Sequence, residues 1–212
     1  FQKPNLLIMK LHNYLTTLLA LTATTQFVSA DTGANLSAGY SYGSYSANAF
    51  GQSIEDDVDG FDLRLGFDLN DSWSVEGRYR SMEAESVPVS LDEIGFYASY
   101  NFDIGGDVTA GIIGGFGNRE LSADGVGSID YDAGILGLDL ETYFTDSLRG
   151  KVEYAYFIAT ERDSVDISEI EVSLFYSIDG IYELFVTYRD QVSGDNFIQA
   201  EGIFTLGIGF DI

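Results

Sequence analysis

The final sixteen residues constrain the fold more than any other stretch of this chain. From Phe197 to Ile212, one set of alternate positions reads Ile198, Ala200, Gly202, Phe204, Leu206, Ile208, Phe210, Ile212. The other reads Gln199, Glu201, Ile203, Thr205, Gly207, Gly209, Asp211. A period of two specifies a β-strand with two unlike faces, one oily and one polar or small. A half-buried strand of a soluble sheet alternates in the same way. Length is what distinguishes this one, because about ten residues is what a tilted strand needs to cross a hydrocarbon layer.

The pattern recurs along the chain. Alternating stretches run from Ala34 to Ser46, Val58 to Leu69, Trp73 to Met82, Leu91 to Phe102, Val108 to Gly117, Tyr131 to Phe144, Leu148 to Thr160, Ile167 to Ile178 and Tyr182 to Asp190. Two kinds of link join them in turn. Asn70-Asp71-Ser72, Asp103 to Asp107, Thr145-Asp146-Ser147 and Asp179-Gly180 are short and built from turn residues. Ser46 to Asp57, Ser81 to Ser90, Asn118 to Asp130, Glu161 to Asp166 and Gln191 to Asn196 are longer. Short turns at one end and long loops at the other predict an all-β, closed, up-and-down antiparallel transmembrane barrel of about ten strands. The count falls to about eight if the weakly patterned first and fifth stretches drop out.

The first thirty residues differ from the rest. They hold no Asp or Glu; Lys3 and Lys10 precede a Leu- and Thr-rich run, and Val28-Ser29-Ala30 offers small residues for cleavage. This reads as a secretory signal peptide over residues 1–30, with Met9 as its start and the barrel over 31–212. Beyond it the chain keeps eight basic against thirty-four acidic residues, a net of −26, with no cysteine and no histidine, since the one histidine is His12. Such a charge excludes nucleic acid as a partner, because phosphates would repel it. No run of eighteen apolar residues follows, so a spanning helix is not expected.

These features resemble the small Gram-negative outer-membrane β-barrels of the OmpA-like and OmpX-like porin-family type. The leader, the alternating strands and the closing Leu206-Gly207-Ile208-Gly209-Phe210-Asp211-Ile212 carry the resemblance. Barrels of this type usually finish on Phe; here Ile212 is last and Phe210 is the nearest aromatic. The resemblance implies a bacterial outer-membrane location with extracellular loops and periplasmic termini. It implies as partners the barrel assembly machinery, membrane lipid and lipopolysaccharide, with the chain a monomer. Enzymes among such barrels use a histidine with Ser, Asp or Glu, because its proton affinity lies near neutrality. The expected function is therefore non-enzymatic and without cofactor: a porin-like or structural surface protein with at most narrow passage of small solutes or cations.

The inward rows carry the residues that would decide this. They are Asp62, Arg64, Glu76, Arg78, Arg80, Asp139, Glu141, Arg149, Lys151, Glu153, Glu169, Glu171, Glu183, Arg189 and Glu201. Centring the short turns on Asp71, Asp146 and Gly180 sets Asp62 opposite Arg80, Glu141 opposite Lys151 and Glu171 opposite Arg189, each of opposite sign. These charges either line a polar passage or brace a filled interior, and the filled interior is favoured, helped by inward Tyr97, Tyr143, Phe157, Phe175 and Phe185. The first, fifth and tenth strands present mainly Gly, Ser and Thr inward, which leaves room for a narrow gap along that wall. The long links are acidic, most densely at Glu55, Asp56, Asp57 and Asp59, which are weak candidates for a Ca²⁺ site. The alternative function is a loop-mediated binding or adhesion module that uses these carboxylates, with or without a divalent cation.

Overall fold

A computed structural model describes residues 33–49, 52–123, 127–160, 166–193 and 198–211. The expected leader and Ile212 lie outside them. Ten strands follow one another: β1 Ala34–Ala49, β2 Gln52–Asn70, β3 Trp73–Ala84, β4 Val89–Gly105, β5 Val108–Ala123, β6 Gly127–Thr145, β7 Leu148–Ala159, β8 Ile167–Ile178, β9 Tyr182–Ser193 and β10 Ile198–Asp211. Each pairs with its sequence neighbours, and β10 returns to pair antiparallel with β1, closing the barrel. Closure leaves no edge strand, so every ladder group within lipid finds a partner. The first and fifth stretches are full strands, and the count is ten.

Register keeps like against like. Leu36 lies opposite Phe210, Ala38 opposite Ile208 and Tyr40 opposite Leu206 across the closing seam. Asp62 lies opposite Arg80, Glu141 opposite Lys151 and Glu171 opposite Arg189, the three pairs expected from the turns. One irregularity breaks the seam: pairing shifts between Tyr42 and Ser44, and Gly202 sits at φ +62°. A left-handed residue of this kind absorbs the extra position of a bulge, and glycine does so without a Cβ penalty.

The outward rows form a continuous oily belt. Leu138 on β6 is 60% exposed and Leu206 on β10 is 69% exposed, with Leu174, Val186 and Ile112 exposed between and beside them. A soluble monomer seldom shows an apolar surface of this extent. Aromatic rings border it on both sides. Trp73 packs on Tyr100 at 5.1 Å and Tyr182 on Phe210 at 5.4 Å near the short turns. Phe61 packs on Tyr79 at 5.6 Å and Tyr188 on Phe204 at 4.9 Å towards the long links. Two girdles of amphipathic rings are what interfacial anchoring requires.

Three of the expected long loops are largely strand. Pairing of β1 with β2 continues to Ala49↔Gln52, β3 with β4 to Glu83↔Ser90, and β5 with β6 to Ala123↔Gly127. Charged residues end the apolar alternation there without ending the ladder. Beyond the lipid both faces of a hairpin meet water, so polar side chains on either face are tolerated while the backbone bonds propagate.

This extension also decides the fate of the acidic run. Glu55, Asp56, Asp57 and Asp59 lie on β2, where alternation sends Asp56 to the face opposite the other three. Among the described residues no group of three or more metal-ligating side chains converges. Asp56 is occupied otherwise: its carboxylate accepts backbone N–H bonds from Ser86 at 2.9 Å, Val87 at 3.1 Å and Asp57 at 3.0 Å. Slight desolvation opposes ionisation, but these donors outweigh it and hold the carboxyl below its ordinary 3.8. A depressed folded value means the contribution is complete above the unfolded pKa and is lost as pH falls through the folded one. The Ser86 and Val87 amide proton resonances should therefore move together only below about pH 4. In Asp56→Ala they should already sit at the low-pH position at neutrality, as NMR in micelles would report.

Candidate functional site

The interior is organised in levels from the short turns towards the long hairpins. At the first level Arg149 on β7 bridges two carboxylates, Glu141 on β6 at 2.7 Å and Glu183 on β9 at 2.8 Å, and lies 3.9 Å over the Phe175 ring. At the next, Lys151 contacts Asp139 at 3.0 Å and Glu153 at 3.6 Å. Arg78 on β3 crosses the lumen to grip Glu153 on β7 with two hydrogen bonds of 2.8 Å, holds Glu76 on its own strand and stacks on Tyr97. Arg64 on β2 crosses to Glu171 on β8 through bonds of 2.7 and 3.0 Å and turns its Nε to Asp62.

Above these lies the densest level. Glu93 on β4 receives three guanidinium groups: Arg119 at 2.9 Å, Arg189 at 2.8 Å and Arg80 at 3.0 Å. Arg119 and Arg189 share Glu169, and Arg80 also binds Asp62 at 2.6 Å. Three basic and three acidic side chains thus neutralise one another across the barrel. Bidentate geometry, as of Arg189 on Glu93, is the kind that offsets the large desolvation cost of burying charge.

An apolar lid covers this layer. Tyr45, Val58, Met82, Leu91 and Ile203 pack together inside the hairpin end, with Met82 and Ile203 each only 1% exposed. A second apolar group, Ala133, Ile135, Ala155 and Phe157, lines the opposite wall, and Arg119 lies 4.3 Å over the Phe157 ring. The space left among Arg80, Glu93, Tyr97 and Arg119 is about 40 Å³, room for a few water molecules. Nearer the short turns the lumen widens into a polar cavity of about 460 Å³.

Where the glycine-rich wall leaves room for a gap between β1 and β10, Phe185 fills it. Phe185, buried, lays its ring over Gly39 and Gly207; a Cβ on Gly39 would come within 3.1 Å of it, and one on Gly207 would overlap it. Ser41 and Thr205 share a 2.8 Å hydrogen bond beside it, as do Ser173 and Thr187. Small residues on three strands make room for large ones on the others, which periodicity alone does not reveal. Gly207→Val should cost about 1–3 kcal/mol by overpacking. A lowered urea midpoint for vesicle-bound protein, restored in part by Phe185→Leu, would report it.

Fourteen of the fifteen inward charges read from the sequence lie in ion pairs here; the side chain of Glu201 lies outside the described residues. Their partners differ from the cross-strand neighbours in two of three cases. Lys151 turns from Glu141 to Asp139 and Glu153, and Arg189 turns from Glu171 to Glu93 and Glu169. Long side chains reach across the lumen, where several carboxylates surround them, in preference to a single neighbour. The inward charges read from the sequence do not include Glu93 or Arg119, and the alternation does not reveal the lid. The signal was there in phase: Val58 shares the row of Asp62, Met82 that of Arg80, Leu91 that of Glu93.

All seven basic residues with described side chains lie in this interior network. The closed ten-strand barrel, oily outside and charged within, agrees with comparison to known proteins. Residues 14–177 match the outer membrane protein β-barrel domain. The chain belongs to that family. A search among curated protein sequences finds no match. Among solved structures, an outer membrane channel from Pseudomonas putida F1 is similar at 11% identity and a TM-score of 0.55, over 89% of this chain and 98% of that one. The β domain of the Bordetella autotransporter Brka gives 11% identity and 0.51, over 84% and 98%. The attachment invasion locus protein Ail of Yersinia pestis gives 15% identity and 0.41, over 85% and 98%. At these identities the likeness is one of fold. Membership of the outer membrane β-barrel family assigns the chain to the bacterial outer membrane.

Proposed function

We propose that this outer membrane β-barrel is a non-enzymatic structural surface protein whose lumen is closed to solutes. The observation that carries the reading is the set of ion pairs across the lumen, Arg64–Glu171, Arg78–Glu153 and Arg189–Glu93, roofed by the Met82 and Ile203 lid. In the membrane the long hairpins face outward and both ends of the barrel domain face the periplasm, the orientation common to the architecture. Its partners are membrane lipid and lipopolysaccharide along the oily belt, and the assembly machinery during insertion. It acts as a monomer, since closure leaves no strand edge for a second copy. No nucleic acid, cofactor or metal enters its function. The absence of histidine beyond His12 removes the usual proton carrier of barrel enzymes.

Liposome swelling tests the reading. Vesicles carrying the barrel should shrink and stay shrunken in small sugars and amino acids. Re-swelling at a rate set by solute size would overturn it.

A second reading has one observation in its favour. The described basic side chains lie inside the barrel, and several carboxylates of the hairpins are held by tyrosines, as Asp59 by Tyr40 at 3.0 Å and Asp166 by Tyr156 at 2.8 Å. Such a rim suits a cationic partner. If that partner is a divalent ion, the melting temperature rises steadily with Ca²⁺; a flat titration leaves the structural role.

A further inference from the structure

The cavity of about 460 Å³ has no part in sealing the barrel. It occupies the half nearer the short turns, with a mouth marked by the exposed Asp68, Asp146 and Asp211 and a floor at Arg64, Arg78 and Glu171. Its lining carries nine carboxylates and only four basic side chains. Each basic group is already shared between carboxylates, as Arg149 is between Glu141 and Glu183 and Lys151 between Asp139 and Glu153. A surplus of negative charge therefore faces a polar space walled by strands that sit in lipid. Low-dielectric walls focus such a field and concentrate counter-ions.

The chemistry narrows the occupant. No three ligating side chains converge among the described residues, so a chelated metal ion is not what the cavity is built for. The carboxylates are spread instead along the depth of the cavity, from Asp68 and Asp146 at the mouth through Glu141 and Glu183 to Asp139 and Glu76. Charges strung along the depth of a blind space match charges strung along a flexible chain. We propose that this cavity is a binding site for linear aliphatic polyamines, entering from the short-turn side with their ammonium groups spaced among these carboxylates. A cavity of this size falls within the range of small-molecule sites.

The proposal rests on the closed lumen, and the two can fail separately. Calorimetric titration of the full chain in detergent micelles reads occupancy whether or not the barrel conducts, and solute flux reads conduction whether or not an amine binds. Spermidine is the probe, with Mg²⁺ at the same ionic strength and succinate as comparators. The expected result is saturable one-to-one binding of spermidine, at least about tenfold tighter than Mg²⁺, and none of succinate. The variant Asp68→Asn/Asp146→Asn/Asp211→Asn removes three charges at the mouth without breaking an ion pair of the lumen, and should weaken spermidine about tenfold or more. A retained β-sheet spectrum establishes that it folds. Equal response to Mg²⁺, non-saturating heats, or a variant that binds as the parent does would each overturn the proposal.

Discussion

Replacing Glu93 by alanine is expected to lower the unfolding free energy by about 3–5 kcal/mol, the cost of leaving buried charges without their partner. Glu93 stands at the centre of Arg80, Arg119 and Arg189. Its removal leaves three guanidinium groups in a buried layer, with Asp62, Glu169 and Glu171 to share. Unlike charges at the surface, these have little solvent to screen them. Urea unfolding from lipid vesicles, followed by Trp73 fluorescence, gives the difference. Asp146→Ala, at an exposed turn, serves as control and should stay within about 0.5 kcal/mol. Glu93→Gln should fall between the two, because an amide oxygen still accepts one guanidinium bond but carries no charge.

The second large effect is on conduction. Arg78→Ser/Arg80→Ser removes the bridge to Glu153 and the contacts with Asp62 and Glu93, and the carboxylates left behind draw in water. That double variant alone should remain closed, because the lid above it is untouched. Adding Met82→Ala and Ile203→Ala takes away the largest fully buried apolar side chains of the lid. The quadruple variant should pass a steady current that prefers cations, since Glu76, Glu153, Asp62 and Glu93 then line the path. A current already present in the double variant would show that the lid does not seal. A silent quadruple variant that still inserts and folds would show that the braces and the lid are not what closes the lumen.

Much of the architecture was legible because membrane strands obey a simple rule. The period of two in Leu136, Leu138, Leu140 and in Phe204, Leu206, Ile208 assigns each residue to lipid or lumen without knowledge of its neighbours. Turn residues at Asp71, Asp146 and Gly180 then fix register, and the register places Asp62, Glu141 and Glu171 opposite basic residues as expected. What periodicity does not carry is distance across the barrel. That Arg64 meets Glu171 and Arg189 meets Glu93 depends on closure, diameter and stagger, properties of ten strands together. The hairpin extensions were hidden for a related reason. Glu55 to Asp59 and Asn118 to Glu120 lose the oily row that marks a membrane strand, yet their backbone continues to pair in water. Arg119 fell into that shadow, although it keeps the phase of its strand.

The lid illustrates the same limit from the other side. Met82, Leu91 and Ile203 are apolar residues on rows that otherwise carry charge, which in isolation looks like noise in the alternation. Brought to one height by the register, they become a small core inside the barrel. The lumen thus has an apolar stopper at one end, neutralised charge beneath it and an acidic hollow at the other.

The most direct test is an electrical one. The unmodified barrel, folded and inserted into a planar bilayer, should give no steady current across it in potassium chloride at moderate voltage, with insertion verified by protease protection of the strands. A reproducible ohmic current of single-channel size from that same material would contradict a lumen closed by ion pairs and lid.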